Sequence, residues 1–360
     1  MRKQTKAAPM KAAAADTKKK AAKRLPVVAA ALLCCSLLSV QCSKSAKASA
    51  GPHKFTTLLM GTIVEISIYG ADEDSSKAAA YGAFELMRRL EKVFNPYDPK
   101  GELYALNHTE EGEPFAASAD LCRIIKRSLE ICRQTGRAFD PTFFALGIDF
   151  KDGQPHIPGE DVIKERLKLV DCGKVSVSDD CRITFGLAGM KIGLGGIAKG
   201  YIADRAAEYL KQRGFKDFII NAGGDMIVAG SKGNRPWRIG IKNPLHPGTT
   251  FAILEPKDRA IATSGNYHRF GKKDKKLWGH IIDPRTGKTA SLSLSATVCA
   301  RDLTTADAWA TALFVMGEQG IERLNQIDGV EALLVTSERK IVKTRAFDDC
   351  AGLVSEEPVK

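Results

Sequence analysis

The chain has 360 residues, which is enough for one large domain or two ordinary ones with a substantial core. Its 44% hydrophobic and 27% charged residues are typical of a soluble globular protein. The formal net charge of +12 is concentrated at the front, where residues 1–41 carry a net +8 and leave about +4 for the remainder. That remainder has no basic stripe interleaved with aromatic residues, which argues against nucleic acid as a partner.

The first 41 residues have the pattern of an export signal. Residues 1–25 are rich in Lys and Ala, and the apolar run 26–40 is too short to span a bilayer comfortably. Cys42 follows this run and looks like the acylated cysteine of a bacterial lipobox. We therefore predict a signal peptide over 1–41, a polar tether over 42–53 and a lipid anchor on the periplasmic side of the inner membrane. Simple secretion and a retained signal anchor are the alternatives.

The remaining sequence alternates between helical and strand patterns without a strict βαβ rhythm, so it predicts an α+β fold. Apolar residues at helical spacing predict helices at 74–93, 118–135, 160–170, 197–213, 304–316 and 318–327. Alternation and β-branched residues predict strands at 55–69 (one strand or a pair), 174–186, 218–230, 236–242, 251–256, 295–300 and 331–336. We expect a single large domain over 54–350.

Six cysteines follow Cys42: Cys122, Cys132, Cys172, Cys181, Cys299 and Cys350. Cys172 and Cys181 flank a strand-like stretch and are candidates for a pair across a hairpin. Scattered buried thiols are the favoured state. The cysteines lack CxxC spacing, which argues against a zinc site.

Two glycine-containing motifs have the composition of ligand-binding turns. Gly193–Gly200 (GLGGIAKG) precedes a predicted helix, where free backbone amides and Lys199 favour an anion. Tight packing of the glycines explains the same run. Asn221–Asp225 (NAGGD) follows a strand-like segment and is either a turn that presents amides to a ligand or a bulge or hairpin corner.

A third motif consists of two segments, Ala262–Arg269 (ATSGNYHR) and His280–Gly287 (HIIDPRTG). It contains His, Asp and Arg next to turn residues. These segments form either a polar patch or a surface hairpin whose DPRTG is only a turn.

A carboxylate and a hydroxyl share one face of a predicted helix near the end of the chain. Asp307 and Thr311 are four residues apart in Thr304–Thr311 (TTADAWAT). Such hard oxygen ligands suit Mg²⁺ that bridges phosphates. Alternatively, Thr304 caps the helix and Asp307 is a favourable acidic residue in its first turn.

Taken together and in order, these segments resemble the ApbE family, the FAD:protein FMN transferases. The resemblance extends from Met60 to Gly317. The matching segments are MGT (60–62), EKVFNPYDP (91–99), EL (102–103), LN (106–107), AFDPT (138–142), GLGGIAKGY (193–201), NAGGD, TSGNYHR, HIIDPRTG and ADAWATALFVMG (306–317).

The resemblance implies an α+β fold that holds FAD as substrate in a cleft between two α/β lobes. It implies Mg²⁺ on the side chains of Asp307 and Thr311 and the backbone carbonyl of Gly196. The implied flavin-nucleotide contacts are Met60, Tyr97, Ala138, Phe139, Asp140, Lys199 and His280. Gly193 departs from the family, because many members have Asp at this position.

The implied reaction passes FMN to a threonine hydroxyl of an acceptor protein and releases AMP. His280 and Asp283 are the candidates for the acid/base that takes the threonine proton. The implied acceptors are exported subunits of Na⁺-translocating NADH:quinone reductase or of Rnf-type complexes. A Mg²⁺-dependent FAD pyrophosphatase and a non-catalytic FAD-binding lipoprotein are the alternative functions.

Overall fold

A computed structural model describes residues 51–149, 155–246, 248–265, 270–273 and 276–358. The predicted signal peptide, Cys42 and residues 266–269 of the third motif lie outside these ranges. The helices are α1 Glu73–Val93, α2 Glu102–Leu106, α3 Ala119–Gln134, α4 Glu160–Arg166, α5 Ala198–Gln212, α6 Leu303–Met316, α7 Glu318–Leu324 and α8 Phe347–Ala351. Within the described ranges, every helix is too short or too polar to cross a membrane.

The strands are β1 His53–Leu59, β2 Thr62–Ile68, β3 Phe115–Ala116, β4 Val175–Val177, β5 Arg182–Phe185, β6 Phe218–Ala222, β7 Asp225–Ala229, β8 Ile239–Lys242, β9 Thr250–Leu254, β10 Arg259–Gly265, β11 Phe270–Lys273, β12 Lys276–Gly279, β13 Ile282–Asp283, β14 Lys288–Thr289, β15 Ser293–Ala300, β16 Glu331–Thr336, β17 Ile341–Lys343 and β18 Leu353–Glu356. Helices and strands of this mixture confirm the predicted α+β class.

Eight of these strands form one antiparallel sheet in the order β1-β2-β6-β7-β10-β15-β16-β17. The predicted strand region at 55–69 is a pair, β1 and β2, joined by a tight turn. Within the described residues, four small sheets accompany the large one: β18-β9-β8, β3-β5-β4 and the two-stranded β11-β12 and β13-β14. The chain therefore pairs strands that are far apart in sequence, such as β2 with β6.

The large sheet separates two apolar cores. In β10, successive side chains belong alternately to one core and the other. Ala260 and Ala262 belong to the core that contains α1, α5 and α6, whereas Ile261 between them belongs to the other core. Because successive side chains in a strand point to opposite faces, one strand serves both cores. The second core contains Trp237 and Phe251, and α8 closes it with Phe347.

Helix α6 is buried on almost all sides, as expected for a helix that is apolar around its circumference. Its N-cap is Asp302, whose carboxylate accepts the amide of Thr305 at 2.7 Å. Asp204, on α5, accepts the amides of Leu303 and Thr304, each at 2.8 Å. The alternative in which Thr304 caps this helix is therefore wrong, because two aspartates already satisfy the first amides.

The expected Cys172–Cys181 pair and the expected buried thiols are both wrong. The six cysteines form three disulfides: Cys122–Cys181, Cys132–Cys172 and Cys299–Cys350. Cys172 and Cys181 do not pair with each other, because the β4–β5 hairpin between them packs against α3 and each meets a cysteine of that helix.

The C-terminal strand β18 pairs with β9 and lies beyond the predicted domain end at residue 350. Its pairing continues the small sheet that covers the second core. The folded part of the chain therefore extends to at least Glu356.

Candidate active site

The glycine-rich run leads into α5 and lets two helices meet. A Cβ atom at Gly200 would lie 2.2 Å from the carbonyl oxygen of Leu303, so a side chain there would push α5 away from the start of α6. A Cβ atom at Gly196 would lie 3.1 Å from the hydroxyl of Thr311 and 3.3 Å from the ring of Phe139. The packing explanation is therefore correct for Gly200, while Gly196 lies directly against a predicted metal ligand.

Asp307 and Thr311 lie one turn apart on α6, on the side that faces the glycine run. Asp307 is 4% exposed, and its Oδ2 accepts the amide of Gly200 at 3.1 Å. Thr311 Oγ1 lies 3.4 Å from Ser264 Oγ on β10. Burial raises the pKa of Asp307, and the nearby Lys199 ammonium opposes this shift.

Lys199 lies between two buried carboxylates. Its ammonium donates to Asp225 Oδ2 and lies 3.6 Å from Asp307 Oδ1. Asp225 is 5% exposed, and its other oxygen accepts the amide of Thr263 at 3.1 Å. The predicted site residues did not include Asp225. NAGGD is a hairpin corner, and the side chain of its last residue, Asp225, reaches Lys199. The sequence feature that could have identified Asp225 as a site residue is an acidic residue at the start of an apolar strand.

The donors brought together around α6 fit Mg²⁺. The Asp307 carboxylate, the Thr311 hydroxyl and the backbone of Gly196 offer hard oxygen atoms, the ligands that this ion prefers. Elsewhere in the described ranges, one close group of candidate ligand atoms combines Cys132, Cys172 and Asp140. Its sulfur atoms form a disulfide and offer no thiolate, so this second group is not a metal site.

The segment Ala138–Asp140 borders the glycine run. Ala138 and Phe139 are buried, and the Phe139 ring approaches Gly196. The Asp140 carboxylate begins the 3-10 helix Pro141–Leu146 by accepting the amide of Thr142 at 2.9 Å. It also accepts from the Cys172 amide and from Arg137 Nε, each at 3.2 Å. Its side chain therefore supports this segment, and its nucleotide contact stays a prediction.

Tyr97 stands at the outer side of this segment and is 54% exposed. Its ring packs edge-to-face against Phe144, with centroids 5.6 Å apart. Partial burial, together with the charge of Asp149, raises the pKa of the Tyr97 hydroxyl. A Cβ atom at Gly193 would lie 2.9 Å from Phe144 Cβ. Phe144 therefore occupies the space in which a side chain at position 193 would begin.

Met60 lies in the β1–β2 turn with a left-handed φ of 54°, and its amide donates to Glu91 Oε1 at 2.7 Å. The same hairpin contacts the NAGGD corner, where the amide of Gly223 donates to the carbonyl of Ile63 at 3.0 Å. Met60 is thus connected to the strand corner that supplies Asp225.

The two acid/base candidates have different surroundings. His280 is half-buried and precedes β13. Asp283 forms two 2.9 Å bonds with the Arg285 guanidinium and also accepts the Arg285 amide at 2.9 Å. The turn alternative is correct for DPRTG, since the amide of Gly287 also donates to the carbonyl of Asp283 at 2.8 Å. The Asp283 carboxylate is therefore engaged within its own turn.

Known proteins resemble this chain over most of its length. The model of the ApbE family matches residues 60–334. A FAD:protein FMN transferase of Klebsiella pneumoniae is 30% identical over 296 residues, which cover 81% of this chain and 91% of that protein. The FAD:protein FMN transferase of Treponema pallidum is 29% identical over 324 residues, covering 83% and 88%.

Solved structures agree with these relatives. The ApbE protein of Thermotoga maritima superposes with a TM-score of 0.75 at 29% identity, covering 83% of this chain and 99% of that one. The flavin transferase ApbE of Vibrio cholerae gives a TM-score of 0.73 at 25% identity, with coverage of 83% and 99%. Sequence, fold and the order of the site segments lead to one conclusion: the chain belongs to the ApbE family.

Proposed function

We propose that this protein is a Mg²⁺-dependent enzyme that transfers FMN from FAD to a threonine hydroxyl of an acceptor protein and releases AMP. The convergence of Gly196, Lys199, Asp307 and Thr311 carries the proposal, because it combines oxygen ligands with a cation at the meeting point of α5 and α6. The printed names of the relatives, FAD:protein FMN transferase, support the flavin-transfer part.

The reaction is an attack on a phosphoanhydride. The threonine oxygen forms a bond to the phosphorus of the FMN half, the bond from that phosphorus to the bridging oxygen breaks, and AMP leaves with the electron pair. Mg²⁺, when bound, neutralises charge on the phosphates. Lys199 adds a fixed positive charge to the site, and the N-terminus of α5 favours an anion there.

The hydroxyl proton needs an acceptor, and His280 is the better of the two candidates. Both oxygens of the Asp283 carboxylate accept hydrogen bonds from Arg285. Asp283 could therefore take the threonine proton only if this ion pair opened. A positioned base of this kind contributes on the order of 10²–10⁴-fold to the rate.

The test is to incubate the protein with FAD, Mg²⁺ and a candidate acceptor, and then to measure the mass of the acceptor. A gain of one FMN on a threonine supports transfer, and Asp307→Ala should abolish it. Free FMN and AMP beside an unmodified acceptor would instead identify a pyrophosphatase. Intact FAD that stays bound would identify a flavin store.

We further propose an exported protein, anchored through lipid on Cys42 to the periplasmic side of the inner membrane. Its acceptors would be exported subunits of Na⁺-translocating NADH:quinone reductase or Rnf-type complexes. The three disulfides support export, because such bonds persist in oxidising compartments.

A further inference from the structure

We propose that Asp225 is a positioning residue that draws the Lys199 ammonium away from Asp307 and so leaves Asp307 available to the metal. The inference rests on the proposed function, since it concerns the same Mg²⁺ site. It assigns a role to a carboxylate that lies in a matching segment but to which the resemblance gives no role.

The backbone around Asp225 fixes where its carboxylate points. Asp225 is the first residue of β7, after Gly223 and Gly224 with φ values of 70° and 108°. The paired residues of β7 and β10 end at Met226 and Ile261. Beyond that end, Asp225 Oδ1 accepts the Thr263 amide at 3.1 Å and takes the place of a strand partner. With Oδ1 held there, Oδ2 is directed to Lys199.

The cluster contains two carboxylates with little access to water and one partly exposed ammonium. The side chains of Asp225 and Asp307 are 7% and 6% exposed, and that of Lys199 is 33% exposed. A buried carboxylate without a cation is costly, so both compete for Lys199. The ammonium bonds directly to Asp225 and lies 3.6 Å from Asp307 Oδ1.

This asymmetry has a consequence for metal binding. Oδ2 of Asp307 already accepts the Gly200 amide, so Oδ1 is the oxygen that a metal ion and Lys199 would share. If Asp225 lost its charge, Lys199 would move onto Asp307 Oδ1 and compete with the ion. Asp225→Asn should therefore weaken metal binding by about tenfold, while its amide oxygen still accepts from Thr263.

A double-mutant cycle separates this indirect role from a direct effect of the Asp225 charge on the ion. The four proteins are the full chain, Asp225→Asn, Lys199→Met and the double variant. Mn²⁺, which takes similar oxygen ligands, is titrated into each protein with saturating FAD, and free Mn²⁺ is followed by electron paramagnetic resonance. FAD occupancy is first measured with a chelator present, and thermal unfolding checks the fold. Asp225→Ser is the reserve variant, because its hydroxyl also accepts an amide without carrying charge.

We expect Asp225→Asn to raise the Mn²⁺ dissociation constant about tenfold in the presence of Lys199 and less than about twofold in the Lys199→Met background. An equal loss in both backgrounds would overturn the inference, since Asp225 would then act on the ion without Lys199. An unchanged dissociation constant in Asp225→Asn would also overturn it. If the unaltered chain bound neither FAD nor Mn²⁺, the proposed function itself would fail, and the inference with it.

Discussion

The hydroxyl of Thr311 allows a clean substitution test, because valine has a similar shape without the oxygen and serine has the oxygen without the methyl group. The Thr311 hydroxyl contacts the Ser264 hydroxyl at 3.4 Å and lies 3.1 Å from the point where a Cβ atom at Gly196 would be. We expect Thr311→Val to lower FMN transfer by about 10²-fold or more and to raise the Mg²⁺ concentration needed for half-maximal rate. Thr311→Ser should stay within a few-fold of the unaltered chain.

The Mg²⁺ dependence of FMN transfer in these two variants is the measurement. Circular dichroism and thermal unfolding control for folding, since both substitutions change packing near Gly196. Normal transfer by the valine variant would show that the metal has other ligands.

Gly193 and Phe144 form a matched pair that can be tested through stability. Because a Cβ atom at Gly193 would lie 2.9 Å from Phe144 Cβ, Gly193→Ala should overpack the segment and cost about 1–3 kcal/mol of unfolding free energy. In a Phe144→Ala background the same substitution should cost almost nothing. Urea unfolding of the unaltered chain, the two single variants and the double variant measures the coupling between positions 193 and 144. An equal loss of stability in both backgrounds would show that the two positions are not coupled.

At the scale of elements, the N-terminus of α6 depends on a carboxylate from α5. Burial raises the pKa of Asp204 from its usual 3.8 to about 6, despite the Leu303 and Thr304 amides that favour its charged form. The folded state therefore binds more protons than the unfolded state between these two values. The contribution of Asp204 to stability is full below about pH 4 and falls as the pH rises through 6, by on the order of 3 kcal/mol.

Replacement of Asp204 by Asn removes this titration and leaves an oxygen for the α6 amides. We compare the unfolding free energy of the unaltered chain with that of Asp204→Asn. As the pH rises from 4 to 7, the unaltered chain should lose stability relative to the variant. Urea unfolding across this range measures the difference. A difference that stays constant with pH would show that Asp204 does not titrate in the folded protein.

The sequence was most informative where an element departs from its own pattern. Helix α6 is apolar nearly all round, so its Asp307 and Thr311 stand out as polar residues that a purely structural helix would not need. Strand β10 shows the opposite case. Its small residues Ala260 and Ala262 carry a weak strand pattern, and the sequence of the segment that begins at Ala262 indicates only a polar patch or a surface hairpin. Their small size matters only because α6 packs against them.

At the scale of the whole molecule, strand order could not be predicted, because pairings such as β2 with β6 join segments with no local signal for each other. The same reason explains why the sequence does not reveal the position of Asp225 beside Lys199 or the disulfide partners. Lys199, Asp225 and Asp307 belong to three separate elements, and only the tertiary fold brings them together. The predicted flavin cleft between two lobes remains a prediction.

Membrane attachment is a property of the whole molecule that depends on Cys42 in the proposal above. If Cys42 carries the lipid, Cys42→Ala should release the protein from membranes while leaving the fold from β1 onward unchanged. Fractionation of cells that express each form, with FMN transfer measured on the soluble fraction, tests this expectation. Persistent membrane association of the variant would favour a retained signal anchor, and a soluble parent chain would favour simple secretion.

The strand order also sets when the site can form. The sheet begins with β1 at His53, yet β15, which pairs with β10 and β16, starts only at Ser293, and α6 starts only at Leu303. Folding rates fall as contacts become more distant in sequence, so we expect this sheet to form slowly. A chain emerging from a translocation channel would have no binding site until nearly all of it had crossed. If the protein is exported as proposed, this architecture would delay flavin chemistry until the polypeptide has reached the compartment in which it folds.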